Sequence, residues 1–115
     1  MASKQAPKAL FDLQIVLARL AAPAAEQRSY LEQLGVFPSI DELALEFDDV
    51  MALVPQLVGE GHLTDAQTET MHAIDQKLSE MSKNPLLWEI EALAKHPDWE
   101  EIRNIAIAAS EDALK

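Results

Sequence analysis

The stretch IDELALEFDDVMALVPQL, residues 40–57, carries the strongest structural signal in this chain. Its apolar side chains recur at intervals of three and four residues, at Ile40, Leu43, Phe47, Val50, Val54 and Leu57. That spacing puts them on one face of an α-helix, as in a helix packed within a bundle. We therefore expect a helix that buries this stripe against the rest of the protein.

Both ends of this helix, the third predicted along the chain, are also marked in the sequence. Ser39 is a good N-cap, and Glu42 three residues later completes a capping box. Pro55 has no amide hydrogen to donate to the carbonyl of Met51, so the sequence predicts a kink or a restart there. We expect this helix to be the longest or nearly so, to bend near Pro55 and to be ended by Gly59 and Gly61.

Helix signals dominate the rest of the chain, and no segment alternates apolar and polar residues long enough for a convincing strand. Prolines, glycines and a second capping box (Thr64 with Gln67) predict the other helices at about Pro7–Leu20, Pro23–Leu34 and Thr64–Met81, from Asn84-Pro85 and from Pro97. The predicted fold is all-α, a single-domain bundle of five to six helices. It spans residues 1–115, with frayed ends at 1–6 and 112–115.

Charge is unevenly distributed along the chain. The sequence has 20 acids against 9 bases, a formal charge of −11. A net charge of about 2 to 8 in magnitude is enough to keep a small domain soluble. No lysine or arginine lies between Arg28 and Lys77, so the excess belongs to the middle of the chain. Nucleic acids and anionic membranes both attract basic surfaces, and we expect neither as a direct partner. The charge favours a basic protein partner.

Several other classes of protein are disfavoured by composition. The chain has no cysteine, which excludes disulfides and thiolate chemistry. No apolar run approaches the roughly 20 residues of a membrane span. Asp12, Gln14 and Arg19 interrupt the N-terminal apolar stretch too closely for a signal peptide. We expect a cytoplasmic protein.

Motifs for catalysis are sparse. The chain has only 3 glycines and no glycine-rich phosphate loop. Glu69 and His72 have the Glu-x-x-His spacing of di-iron bundles, but such sites need the motif on two helices and it occurs once. We predict no catalytic residue, no metal and no cofactor. Trp88 and Trp99 are interpreted as core aromatics flanking the turn before the last helix.

Leu45 falls opposite the apolar stripe of the third helix. An exposed leucine ringed by carboxylates would supply desolvation energy while the charges steer a basic partner. The alternative is that Leu45 packs under the N-terminal helix and leaves the acids at the rim. The predicted partner-binding surface consists of Leu45, its neighbours three and four positions away, and one edge residue: Asp41, Glu42, Leu45, Glu46, Asp48 and Asp49.

Three blocks carry a resemblance: LALEFDDVMALVPQLV at 43–58, LLWEIEAL at 86–93 and HPDWEEIRNIAIAA at 96–109. Through them residues 36–113 resemble small acidic bacterial proteins of toxin-immunity loci, and the chain is similar in kind to acidic helical immunity proteins of nuclease bacteriocins. The resemblance implies a non-enzymatic inhibitor that sequesters a basic toxin or nuclease domain, and it assigns no residue a role. The alternative is a regulatory adaptor or a homo-oligomeric scaffold without a toxin partner.

Overall fold

The computed structural model describes residues 8–35 and 40–113, and this part of the chain is helical without a strand. The α-helices are α1 (Lys8–Ala21), α2 (Ala24–Leu34), α3 (Asp41–Met51), α4 (Val54–Gly59), α5 (Asp65–Met81), α6 (Ile90–Lys95) and α7 (Pro97–Ala113). A 3₁₀ turn, η1 (Pro85–Trp88), joins α5 to α6. The predicted all-α, single-domain bundle is confirmed.

Local signals account for some of the helix ends. Thr64 caps α5: its side chain accepts from the amide of Gln67 at 3.1 Å, and the Gln67 side chain accepts from the Thr64 amide at 2.8 Å. This predicted capping box is confirmed. Gly35 ends α2 with a φ of 75°, a left-handed conformation that glycine adopts without steric cost. The predicted capping box at Ser39 and the fraying of residues 1–6 lie outside the described residues, and α7 continues through Ala113.

The apolar stripe of residues 40–57 runs across two helices. Helix α3 ends at Met51, and the chain restarts as α4 at Val54. Pro55 lies in the first turn of α4, where backbone amides have no helical acceptor, so its missing amide hydrogen breaks no helical hydrogen bond. The predicted restart is confirmed. The prediction that this helix is the longest or nearly so is wrong, because α5 and α7 have 17 residues each and α3 has 11. Apolar period reports which face is buried and does not require an unbroken helix.

The core lies where α1 and α5 pack against α7 and α3 packs against α1 and α5. Trp99 and Phe47 are its largest fully buried side chains. The Trp99 indole donates to the carbonyl of Leu87 at 2.7 Å, and its ring meets that of Trp88 edge-on at 5.3 Å between centroids. Trp99 is therefore a core aromatic as predicted. Trp88 is only half-buried and borders a groove described below.

Two buried polar side chains, Gln27 and Arg103, link four helices. The Gln27 amide donates to the carbonyls of Arg19 and Leu20 at the end of α1, and its oxygen accepts from Arg103 at 3.1 Å. Arg103 also donates to the carbonyl of Leu93 at 3.0 Å. This network ties α1, α2, α6 and α7 together, and it satisfies the polar atoms that are buried there.

Candidate protein-binding surface

Leu45 lies on the outer face of α3. Its side chain is 55% exposed, whereas Leu43, Phe47 and Val50 of the same helix are buried. The reason is angular: Leu45 points about 180° away from the middle of that buried stripe, at 100° of rotation per residue. Leu45 does not pack under the N-terminal helix. The outward placement, one of the two that the sequence allowed, is the observed one.

The edge of α3 that faces α1 and α2 is closed by an intramolecular contact. Arg19 of α1 donates to the Glu46 carboxylate at 2.8 Å, and the Tyr30 hydroxyl of α2 donates to the other carboxylate oxygen. The Arg19 guanidinium lies 3.7 Å from the centroid of the Tyr30 ring. The Glu46 side chain is only 18% exposed. Glu46 is thus engaged in packing three helices together, and its charge is balanced from within the protein.

The contacts at this closed edge also shift the pKa of Tyr30. Burial of the phenol, followed by its hydrogen bond to Glu46 and repulsion from the carboxylates of Glu46 and Glu42, raises the pKa of Tyr30 to about 12, with Arg19 opposing the shift. The neutral phenol is therefore the form that the fold favours.

The opposite edge of α3 is open. Asp41, Ala44 and Leu45 border a groove of about 460 Å³, whose second wall comes from the end of α5 and from η1 through Ser82, Pro85 and Trp88. A smaller cavity of about 240 Å³ shares Ala44, Ser82 and Trp88, and adds Asp48, Asp75, Leu78 and Ser79. The two cavities are adjacent because they share these lining residues, and we call them together the α3–α5 groove. It combines an apolar floor with carboxylates at its margins.

The carboxylates around this groove are not paired with a cation in the part of the chain that the structure describes. Asp41, Asp48 and Asp75 form no ion pair within residues 8–35 and 40–110. Asp49, also without an ion pair in that part of the chain, is exposed on the α1 side of Leu45, beside Ile15. Glu42 is half-buried near Tyr30. The structure therefore brings together Asp41, Leu45 and Asp48 at the groove and separates Glu46 from them.

Many of the basic side chains are paired elsewhere. Their ion pairs are Lys8–Asp12, Arg19–Glu46, Arg28–Glu32, Lys77 with Asp98 and Glu101, and Arg103–Glu100. The hydrogen bond of Lys77 to Asp98 raises the pKa of this lysine, so its charge persists to high pH. These pairs lie outside the α3–α5 groove. The negative field on the outer face of α3 is therefore not cancelled by them.

Sequence reasoning missed the second wall of the groove. Asp75 was one acid among many, and Trp88 was assigned to the core. One signal was present: Leu86, Leu87 and Trp88 are consecutive after a proline, and three consecutive residues cannot all face one core. Leu87 is buried, Leu86 is largely exposed and Trp88 lies between these extremes. Nothing local indicates that this turn lies beside α3.

The other side chains considered as metal ligands do not cluster in the described part of the chain. Glu69 and His72 are both exposed on α5, and no group of three or more metal-ligating side chains occurs in the described part of the chain. The His96 ring accepts from the amide of Asp98 at 3.0 Å and so caps the start of α7. No helix among the described residues is long and apolar enough to cross a bilayer. No protein-family model, curated protein or solved structure matches this chain.

Proposed function

We propose that this protein is a non-enzymatic binding protein of the cytoplasm that docks a basic protein partner on the outer face of α3. The observation that carries the proposal is the setting of Leu45. This leucine is 55% exposed and lies among Asp41, Asp48 and Asp49, none of which has an ion pair in the described residues. The surface therefore offers apolar area to desolvate and negative charge to neutralise.

The two kinds of side chain would act at different stages of binding. Uncancelled carboxylates steer a basic partner and raise its association rate, an effect that salt weakens because exposed charges are screened within about 8 Å at physiological ionic strength. A central apolar side chain acts mainly on dissociation, because it is desolvated only in the docked complex. Binding should therefore be salt-dependent in its on-rate and Leu45-dependent in its off-rate.

The form of this function that we favour is an immunity-type inhibitor, which sequesters a basic toxin or nuclease domain. The resemblance of residues 36–113 to proteins of toxin-immunity loci supports it, as does the sign of the uncancelled charge. A toxin domain that binds an anionic substrate carries a basic surface, and an acidic face would cover that surface.

A second candidate is a homo-oligomeric scaffold or adaptor, and an observation on α1 favours it. Phe11 and Ile15 lie one helical turn apart and are 60% and 40% exposed. They form apolar surface on α1, and Ile15 lies next to Asp49 of the acidic face. Phe11→Ser should abolish self-association in sedimentation velocity if this surface joins two copies. A monomer at high concentration excludes the scaffold.

The main proposal is tested with the protein encoded beside this chain. We expect that protein to be basic and to bind in calorimetry, with an affinity that falls steeply between low and physiological salt. The triple variant Asp41→Lys/Asp48→Lys/Asp49→Lys should abolish binding. Its matched control is Glu91→Lys/Glu69→Lys/Glu80→Lys, which changes net charge equally and, like the first set, includes one acid in a first helical turn.

The control separates local from overall charge. If both triple variants lose binding equally, net charge and not the α3 face is responsible. Unchanged affinity and salt dependence in the α3 variant would contradict the proposed function. If no basic protein is encoded beside this chain, the immunity-type inhibitor is excluded and the adaptor hypothesis remains.

A further inference from the structure

The second wall of the α3–α5 groove is rigidly supported. The Trp88 indole donates to the carbonyl of Met81 at 2.9 Å, and its ring packs edge-on against the buried Trp99. Pro85 beside it opens the 3₁₀ turn, and its ring restricts the backbone. A wall that is ordered before binding loses little conformational entropy when a partner docks.

The groove repeats a helical spacing along its α3 margin. Asp41 precedes Leu45 by four residues, and Asp48 follows it by three. The two carboxylates are therefore two helical turns apart, about 10 Å along the axis, with the leucine between them. A second helix lying along α3 presents side chains at the same spacing, since i, i+4 and i+7 share a face.

We propose that the α3–α5 groove receives an amphipathic helix of a basic partner, whose apolar residue enters beside Leu45 and Trp88 between two arginines seven positions apart. This rests on the proposed function and names its docking mode. One arginine pairs with Asp41. The other enters the smaller cavity, where Asp48 and Asp75 supply carboxylates and Trp88 an aromatic face. Arginine suits this setting because its planar guanidinium pairs bidentately with carboxylates and stacks on indole rings.

Two other occupants fit the groove less well. A small molecule requires a site that encloses most of its surface, whereas Leu45, Ser82 and Pro85 on the walls are themselves exposed. A second copy of this chain would bring another −11 of charge to an acidic surface. Charge complementarity thus selects a basic polypeptide.

The test uses two synthetic 18-residue peptides with the same composition and net charge, in an alanine and glutamine background without tryptophan. The matched peptide has leucine at its position 9 and arginine at its positions 5 and 12, on one helical face. The mismatched peptide keeps that leucine but carries arginine at its positions 7 and 11, on the opposite face. Calorimetry should show the matched peptide binding at least about tenfold more tightly, the equivalent of one good anchor contact.

Protein variants then assign the binding to the groove. Leu45→Ala should weaken binding of the matched peptide about tenfold. Ile107→Ala removes a similarly exposed aliphatic side chain from α7 and should leave that affinity unchanged. Asp75→Asn should weaken binding about threefold to tenfold, while Glu69→Gln on the same helix should not. Trp88→Phe keeps an aromatic ring in the wall if larger truncations fail to fold, and it should also weaken binding.

The outcomes separate this inference from the proposed function. Equal affinity for the two peptides, or no binding of either, overturns the helical docking mode. If Asp75→Asn and Trp88→Phe bind normally while the Asp41, Asp48 and Asp49 reversal abolishes partner binding, the α3 face docks partners without the groove, and only this inference fails. If the reversal is also silent, both fail.

Discussion

The two edges of α3 differ in what surrounds their acids. On the α1 side, Glu46 accepts from Arg19 and from Tyr30 and is mostly buried. On the α5 side, Asp41 and Asp48 border an open groove and form no ion pair within the described residues. The same residue class on the same helix is thus structural at Glu46 and available at Asp41 and Asp48. A count of acids overstates the charge that a partner can meet.

The largest expected effect comes from reversing charge at the closed edge. Glu46→Lys places an ammonium beside Arg19 and removes the acceptor of Tyr30, so we expect about 2 kcal/mol or more of lost unfolding free energy. Asp48→Lys makes the same change at the open edge and should alter stability by less than about 0.5 kcal/mol. Urea denaturation of both variants measures the difference. Equal losses would mean that the two edges do not differ as described.

The closed edge can also be followed through pH. Tyr30 is the only tyrosine, so the change of absorbance at 295 nm with pH reports its phenol alone, and we expect titration near the raised pKa of about 12. Because the folded pKa lies above the unfolded value of about 10, the contribution of this group is complete below pH 10 and is lost as pH rises through 12. Titration near pH 10 in the folded protein would show that the phenol is not engaged by Glu46. In Tyr30→Phe this step should disappear.

Leu45→Glu sharpens the comparison at the outer face. Leu45 is more than half exposed, so the substitution should move unfolding free energy by less than about 0.5 kcal/mol. The same substitution should abolish partner binding, because it replaces the apolar anchor with a further charge. Thermal unfolding followed by circular dichroism provides the stability measurement. A collapse of the fold would identify Leu45 as a core residue.

The smallest expected effect concerns repulsion among the unpaired acids on the outer face of α3. Asp41→Asn/Asp48→Asn/Asp49→Asn should leave stability unchanged or raise it by a few tenths of a kcal/mol, since it removes unbalanced like charges. Added salt should stabilise the unsubstituted protein more than this variant, because salt screens the same repulsion. Identical salt dependence of the two unfolding curves would place the repulsion elsewhere.

Local chemistry explains which structural predictions succeeded. The α5 capping box needs only Thr64 and Gln67, and the start of α7 needs only Pro97, so both could be predicted from a few neighbouring residues. The length of the third helix could not be predicted from its apolar period. That period continues from α3 into α4, while the backbone restarts between Met51 and Val54.

The candidate surface was predictable to the same degree. Helical geometry alone placed Asp41, Leu45 and Asp48 on one side of α3. It could not show that Glu46 is neutralised, because Arg19 lies 27 positions away and Tyr30 lies 16 positions away. Nor could it show that Asp75 and Trp88 complete a groove, because their proximity to α3 depends on how α5 and η1 pack.

The sequence by itself determined the helical class, the buried stripe, the excess of negative charge and its concentration in the middle of the chain. Caps, prolines and apolar period act between residues a few positions apart, so they can be read without a fold. Only the tertiary structure decided that the face of α3 bearing Leu45 stays exposed, that Glu46 is paired and that one edge of α3 opens into a groove. Those properties depend on which helices pack beside α3, and that packing is set by burial of the whole core.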